Sequence, residues 1–162
     1  MALDDAASAL IIIDQTKLPN ALELLHLRTQ SEIWEAIRAL KVRGAPAIGV
    51  AAAFGLYLAA KEIRTENDEE FFARFRAARD YLNSSRPNAV NQPWALDRMM
   101  AATLAERAAG IASVKRRLLT EARAIQAEDI EICRRIGELR RRGARQRLRP
   151  RPGTLRDRKS VV

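Results

Sequence analysis

Along the chain, the spacing of apolar residues follows two periods in succession. Leu10-Ile11-Ile12-Ile13 is a short β-branched run, and a second apolar stretch follows after the turn-forming Lys17-Leu18-Pro19-Asn20. Short strands are expected over 10–14 and 21–27. From Thr29 the period becomes helical. Thr29-Gln30-Ser31-Glu32 is a capping box, in which the Thr hydroxyl and the Glu carboxylate satisfy orphan amides. Ile33, Ile37 and Leu40 follow at helical spacing, and Arg43-Gly44 breaks the helix. A second helix is expected from Pro46, a good first helical residue, to about Ile63. Its small residues, among them Gly49, Ala52 and Gly55, allow neighbours to pack closely.

A third helix opens at Asn67-Asp68-Glu69-Glu70 and carries Phe71, Phe75, Ala78 and Leu82 on one face. After the loop Asn83–Pro87, a fourth helix is expected over roughly 89–109, ended by Gly110. A fifth should run from about Val114 to 138, with Leu118, Ala122, Ile125, Ile132 and Ile136 as its apolar stripe. Past Glu138 the period fails. Leu139–Arg156 is rich in Arg, Pro and Gly and cannot bury a core, so disorder is expected there. The fold class is therefore α+β and mainly α: a small N-terminal antiparallel β element, a bundle of about five helices over 1–138, and a disordered tail, 139–162. No internal repeat is visible.

Charge changes this picture only at the C-terminal end. The formal net charge is +9, which would ordinarily suggest nucleic acid or an anionic membrane. Residues 139–162 hold nine Arg, one Lys and one Asp, and so account for all of it. Residues 1–138 hold 19 basic and 19 acidic side chains and are neutral. The single cysteine, Cys133, excludes an internal disulfide and a cysteine-built metal site, and fits a reducing, cytoplasmic compartment. No basic n-region precedes Leu10–Ile13, so a signal peptide is not expected. The uncharged stretch Ala45 to Ala60 is too short and too rich in Ala to span a bilayer, and reads as a buried helix.

The chemistry centres on Arg43-Gly44-Ala45-Pro46-Ala47-Ile48-Gly49. A helix N-terminus has unpaired amides and a partial positive charge. Ala45, before Pro46, cannot cap it, and the usual Ser, Thr, Asp or Asn is missing. A ligand oxyanion could cap instead, with Gly44 permitting close approach and Arg43 offering a planar guanidinium suited to phosphate. The plainer alternative is a solvated Arg on an ordinary loop, with the amides bonded to water. Arg86, held extended by Pro87, precedes another helix start. Two such arginines could converge on one phosphate, or belong to unrelated loops; periodicity does not decide.

Other candidates read as structural. Cys133 lies beside Ile132 and Ile136 and is expected to be a small buried hydrophobe. His26, the only histidine, sits in an expected strand with no Ser, Cys or second His near it in sequence. Asp129 falls in the middle of the fifth helix's stripe. Buried there, it should bond a loop's amides or an arginine and support the fold.

Four motifs stand in order: Asp14-Gln15-Thr16-Lys17-Leu18-Pro19, Val42-Arg43-Gly44-Ala45-Pro46-Ala47-Ile48-Gly49, Ser85-Arg86-Pro87-Asn88-Ala89-Val90-Asn91, and Glu128-Asp129 with Cys133–Glu138. Together, over about residues 10–138, they resemble the N-terminal region of S-methyl-5-thioribose-1-phosphate isomerases. The wider family includes ribose-1,5-bisphosphate isomerases and regulatory subunits of a translation-initiation exchange factor. Gln92-Pro93 departs from the pattern, which is usually apolar before Trp94-Ala95-Leu96.

The resemblance implies an aldose-to-ketose isomerisation of a sugar phosphate in methionine salvage, with no cofactor and no metal. It implies that Arg43, Gly44, Ala45 and Arg86 bind the substrate, at its phosphate end. It also implies a homodimer when full length, with neither membrane nor nucleic acid as partner. The family's catalytic Cys lies in a Thr-His-Cys-Asn-Ala-Gly motif beyond the equivalent of Glu138, and its catalytic Asp lies further on. Neither motif stands in this sequence, so no catalytic residue is assigned and no activity is expected of these 162 residues alone. The switch to Arg, Pro and Gly after 138 reads as GC-rich DNA in a shifted frame, and Asp157–Val162 matches one frame of a sequencing adapter. A genuine nucleic-acid-binding arm is the rival reading. The alternatives are a non-catalytic regulatory or assembly module, as in the translation-factor branch, or a ribose-1,5-bisphosphate isomerase.

Overall fold

The computed structural model describes residues 1–86 and 88–147, with side chains through Arg141. It divides into two compact units, Met1–Asp129 and Ile130–Val162.

The first unit begins with a three-stranded antiparallel sheet in the order β1 (Ala2–Asp4), β2 (Ala9–Ile13), β3 (Leu24–Leu27). β2 is central: Leu10 pairs with Leu3 on one side and with Leu27 on the other. Its alternation is that of a half-buried strand, with Leu10 and Ile12 buried and Ile13 exposed. β1 was not foreseen, because three residues with one large apolar side chain carry no readable period. β3 is shorter than the expected 21–27, since residues 21–23 lie outside the ladder, in no regular element.

α1 (Gln30–Arg38) starts on the capping box the sequence predicts. Thr29 Oγ1 accepts from the Glu32 amide at 3.2 Å, and Glu32 Oε2 accepts from the amides of Thr29 (3.0 Å) and Arg28 (2.6 Å). α2 (Ala45–Glu62) is the central helix, buried at every position from Ile48 to Ala60. A helix apolar on all sides is stable only when surrounded. α1, α3 (Asp68–Asn83) and α4 (Asn91–Ala105) surround it, α4 most extensively. α3 is capped by Asn67 Oδ1 and buries Phe71, Phe75, Ala78 and Leu82 as expected, with Phe72 in addition. α4 is shorter than the expected 89–109: it ends at Ala105, and a separate 3₁₀ turn, Arg107–Ala109, leads to Gly110. A side chain also ties the sheet to α2. The Asp5 carboxylate accepts from Tyr57 Oη at 2.6 Å and Lys61 Nζ at 3.0 Å.

α5 spans Ile111–Arg147, nine residues past its expected end, so the disorder expected from Leu139 does not begin there. Residues 148–162 of that tail lie outside the described residues. Within the first unit, Leu118, Ala122 and Ile125 of the α5 stripe are buried. In the second unit the expectation fails: Ile132 is 56% and Ile136 51% exposed, and Cys133 is exposed rather than buried. A helical period marks a face but does not supply the neighbour that covers it. Asp129 is half-buried, not central in a buried stripe. The buried carboxylate of α5 is Glu121, which accepts from Arg98 Nε at 2.6 Å and Arg117 at 2.7 Å. Arg98 also holds Glu128 in a two-bond fork, at 2.6 and 2.7 Å. No helix among the described residues is long and apolar enough to cross a membrane.

Candidate functional site

The Arg43 loop is built by both of its neighbours. At the end of α1, Leu40 adopts φ 58°, and the amides of Lys41 and Val42 both donate to the Ala36 carbonyl. Buried Val42 anchors the turn. The Asp14-Gln15-Thr16 motif supports it from outside. Asp14 Oδ1 accepts from the Thr16 amide (2.9 Å) and hydroxyl (2.6 Å), and the Gln15 amide donates to the Lys41 carbonyl at 3.1 Å. The chain is thereby held two residues before Arg43. The motif's role here is a side-chain-closed turn.

Gly44 is the N-cap of α2, with φ 93° and ψ 126°, a conformation that favours glycine. No side chain caps this helix, no acid stands in its first turn, and Pro occupies one of the first two helical positions. Gly44, Ala45 and Pro46 are exposed. Arg43 is exposed beside them, and its Nε donates to the Leu40 carbonyl at 3.3 Å. That contact fixes the guanidinium's stem at the helix entrance.

The start of α4 lies against α2. At Gly49, in the second turn of α2, a Cβ would sit 2.8 Å from the Asn91 carbonyl oxygen and 3.5 Å from Ala95 Cβ. The first turn of α4 therefore rests on the backbone of α2, as only glycine permits. α4 also starts without a side-chain cap or a first-turn acid. The loop that delivers its chain carries Arg86, which is exposed. The α4 start thus lies against the second turn of α2, five residues beyond Gly44 in that helix, though 42 positions separate Gly49 from Asn91 in sequence. Neither helix start has a side-chain cap or a first-turn acid, the features that leave the positive end of a helix dipole open to an anion.

Other residues hold this arrangement. Gln92, fully buried in the first turn of α4, donates from Nε2 to the Leu82 carbonyl (2.5 Å) and to Ser85 Oγ (2.8 Å). Trp34 Nε1 donates to Ser84 Oγ at 3.0 Å. The sequence reading did not assign Gln92, Ser85 or Trp34 to the site. A glutamine where the motif's pattern is apolar was the one available signal. His26 is exposed on β3. Among the described residues no cluster of three or more His, Cys, Asp or Glu could hold a metal. Surface concavities of about 370 and 450 Å³ lie near Gln30 and Arg74 and near Thr65 and Lys115, and include none of Arg43, Gly44, Ala45 or Arg86.

Residues 41–143 match the model of the Initiation factor 2 subunit family. The chain is 54% identical over 138 residues to a methylthioribose-1-phosphate isomerase of Symbiobacterium thermophilum, covering 85% of this chain and 38% of that protein. It is 46% identical over 135 residues to a 5-deoxyribose 1-phosphate isomerase of Clostridium botulinum, covering 83% and 39%. Among solved structures, it resembles 5-methylthioribose 1-phosphate isomerase from Pyrococcus horikoshii with a TM-score of 0.74 at 37% identity, covering 76% of this chain and 35% of that one. The delta subunit of translation initiation factor eIF-2B from A. fulgidus gives 0.70 at 38% identity, covering 76% and 37%. The chain thus spans well under half the length of the relatives it matches.

Proposed function

The chain belongs to the Initiation factor 2 subunit family, and on that premise we propose that it is the substrate-binding N-terminal part of an aldose–ketose isomerase acting on a sugar 1-phosphate. The substrate we assign is S-methyl-5-thioribose 1-phosphate, with the ketose 1-phosphate as product. The observation that carries this reading is the uncapped start of α2 at Gly44, with exposed Arg43 beside it and the uncapped start of α4 packed on the second turn of the same helix. The names of the isomerase relatives support it.

In a sugar 1-phosphate the phosphate occupies the anomeric carbon, so the ring does not open spontaneously as a free aldose does. Opening needs a proton donor at the ring oxygen, and isomerisation then moves hydrogen from C2 to C1 with an acid/base pair in a dry pocket. In this reading Arg43, the Gly44 and Ala45 backbone, and Arg86 hold the phosphate end and orient C1 and C2. Arg43 gives charge-assisted hydrogen bonds and the helix entrances give amides and dipole. None of the four supplies the acid or the base. The 5-substituent, which distinguishes a methylthioribose from a 5-deoxyribose phosphate, lies at the other end of the sugar from this grip.

The test is a titration of the 162-residue chain with methylthioribose 1-phosphate, followed by amide NMR. Shifts at Gly44 and Ala45 that disappear in Arg43→Ala support the reading; an unchanged spectrum at saturating ligand overturns it. The chain alone should not turn the substrate over. A second reading, a non-catalytic regulatory or assembly module, is favoured by the likeness to the eIF-2B delta subunit. It predicts that Arg43→Ala leaves sugar-phosphate binding unaffected.

A further inference from the structure

Arg86 follows two serines that are each gripped by a side chain from a different helix. Ser84 Oγ accepts from Trp34 Nε1 of α1 at 3.0 Å and donates to the Tyr81 carbonyl at 2.7 Å. Ser85 Oγ accepts from Gln92 Nε2 of α4 at 2.8 Å and donates to the Leu82 carbonyl at 2.7 Å. The serine amides close the end of α3, Ser84 onto Asp80 and Tyr81 and Ser85 onto Leu82. Beyond them, the Arg86 carbonyl accepts from the Ala89 amide, and the Ala89 carbonyl from the Gln92 amide. The two residues before Arg86 are therefore each held by a side-chain hydroxyl that both donates and accepts a hydrogen bond.

The two gripping side chains are themselves braced. Trp34 stacks on Tyr81 with ring centroids 5.7 Å apart and carries the Arg38 guanidinium 5.2 Å over its face. Gln92 is fully buried, and its amide nitrogen spends its hydrogens on Leu82 and Ser85, while Oε1 has no hydrogen-bond donor among the described residues. An apolar residue would pack this position without the cost of burying an amide. A buried amide spent on the loop specifies geometry, and it lies in the helical turn that rests on α2 beside Gly49.

We propose that Trp34 and Gln92 are positioning residues for Arg86: through Ser84 and Ser85 they hold it, before ligand arrives, beside the start of α4 where that helix packs on α2. The inference rests on the reading of Arg86 as a phosphate ligand. An arginine on a free loop loses backbone and side-chain freedom on binding; one on a clamped loop has already lost much of it, and binds more tightly for the same contacts.

The test uses the whole chain, with inorganic phosphate as probe. Nitrogen-15 relaxation reads the order of the Arg86 amide and Nε, and a phosphate titration reads affinity at the Gly44 and Ala45 amides. Trp34→Phe, Ser84→Ala and Gln92→Leu should each lower the Arg86 order parameter from about 0.85 toward 0.6. Each should weaken phosphate by roughly threefold to tenfold, the range of one net hydrogen bond. Ser84→Thr, which keeps the hydroxyl, should restore both. If Gln92→Leu fails to fold, the exposed Ser84 pair still decides. A fall in thermal midpoint with Arg86 order and phosphate affinity unchanged overturns the positioning role. No phosphate response at Gly44 and Ala45 in the unsubstituted chain overturns the parent reading, and this role with it.

Discussion

Arg43 and Glu32 show how much a single residue's neighbours decide. Arg43 has an exposed side chain and one weak backbone contact, so its removal should leave the fold intact and alter only ligand affinity. Loss of a charge-assisted hydrogen bond costs about 1.5–3 kcal/mol, so Arg43→Ala should weaken sugar-phosphate binding roughly tenfold to a hundredfold in a calorimetric titration. Arg43→Lys should recover only part, because an ammonium cannot form the two-bond fork. Glu32 is a fold residue. The amides of Arg28 and Thr29 hold its carboxyl below the ordinary value of 4.5. A lowered folded pKa means that its contribution is complete above that value and is lost as pH falls through the folded pKa. Thermal midpoints taken from about pH 5 to pH 2 should fall less steeply in Glu32→Gln than in the unsubstituted chain. Thr29→Ala should cost about 1 kcal/mol at neutral pH, as other N-cap truncations do.

At the scale of elements, the contact of α2 with α4 places the candidate site. A methyl at Gly49 would meet the Asn91 backbone carbonyl at 2.8 Å, and backbone cannot rotate away as a side chain can. Gly49→Ala should therefore displace the start of α4 and destabilise by about 1–3 kcal/mol, read as a lower urea midpoint. The same change should reduce phosphate binding, since it shifts the α4 start and the Arg86 loop that leads into it relative to α2. Both helices were legible beforehand, because apolar period, Pro at a helix start and Gly at a break are local signals. Their adjacency was not legible. It depends on a missing Cβ meeting a carbonyl more than forty residues away, and nothing in the spacing of either helix encodes that.

For the molecule as a whole, α5 is secured within the first unit by a charge network that the sequence reading missed. Glu121 is buried and bound by Arg98 and Arg117, and Arg98 bridges onward to Glu128. Arg98→Met should cost about 1–3 kcal/mol by leaving part of a buried carboxylate unpartnered, and Glu121→Gln in the same chain should return some of it. Differential scanning calorimetry of the two single variants and the double variant measures the coupling. The sequence places Asp129, not Glu121, in the middle of the apolar stripe. Helical angle alone put it in mid-stripe, whereas the buried face of the first unit ends with Ile125.

The sequence by itself determined the helices, their caps and the uncapped entrance at Gly44, because each depends on residues within about one turn of one another. The family could also be read from it, through motifs whose order survives without any knowledge of contacts. Only the tertiary structure decided where α4 packs on α2, which polar side chains hold the serines before Arg86, and which part of α5's apolar face is covered. Each of these depends on distant segments arriving at the same place. A period of 3.6 residues states which way a side chain faces, but not what stands opposite it.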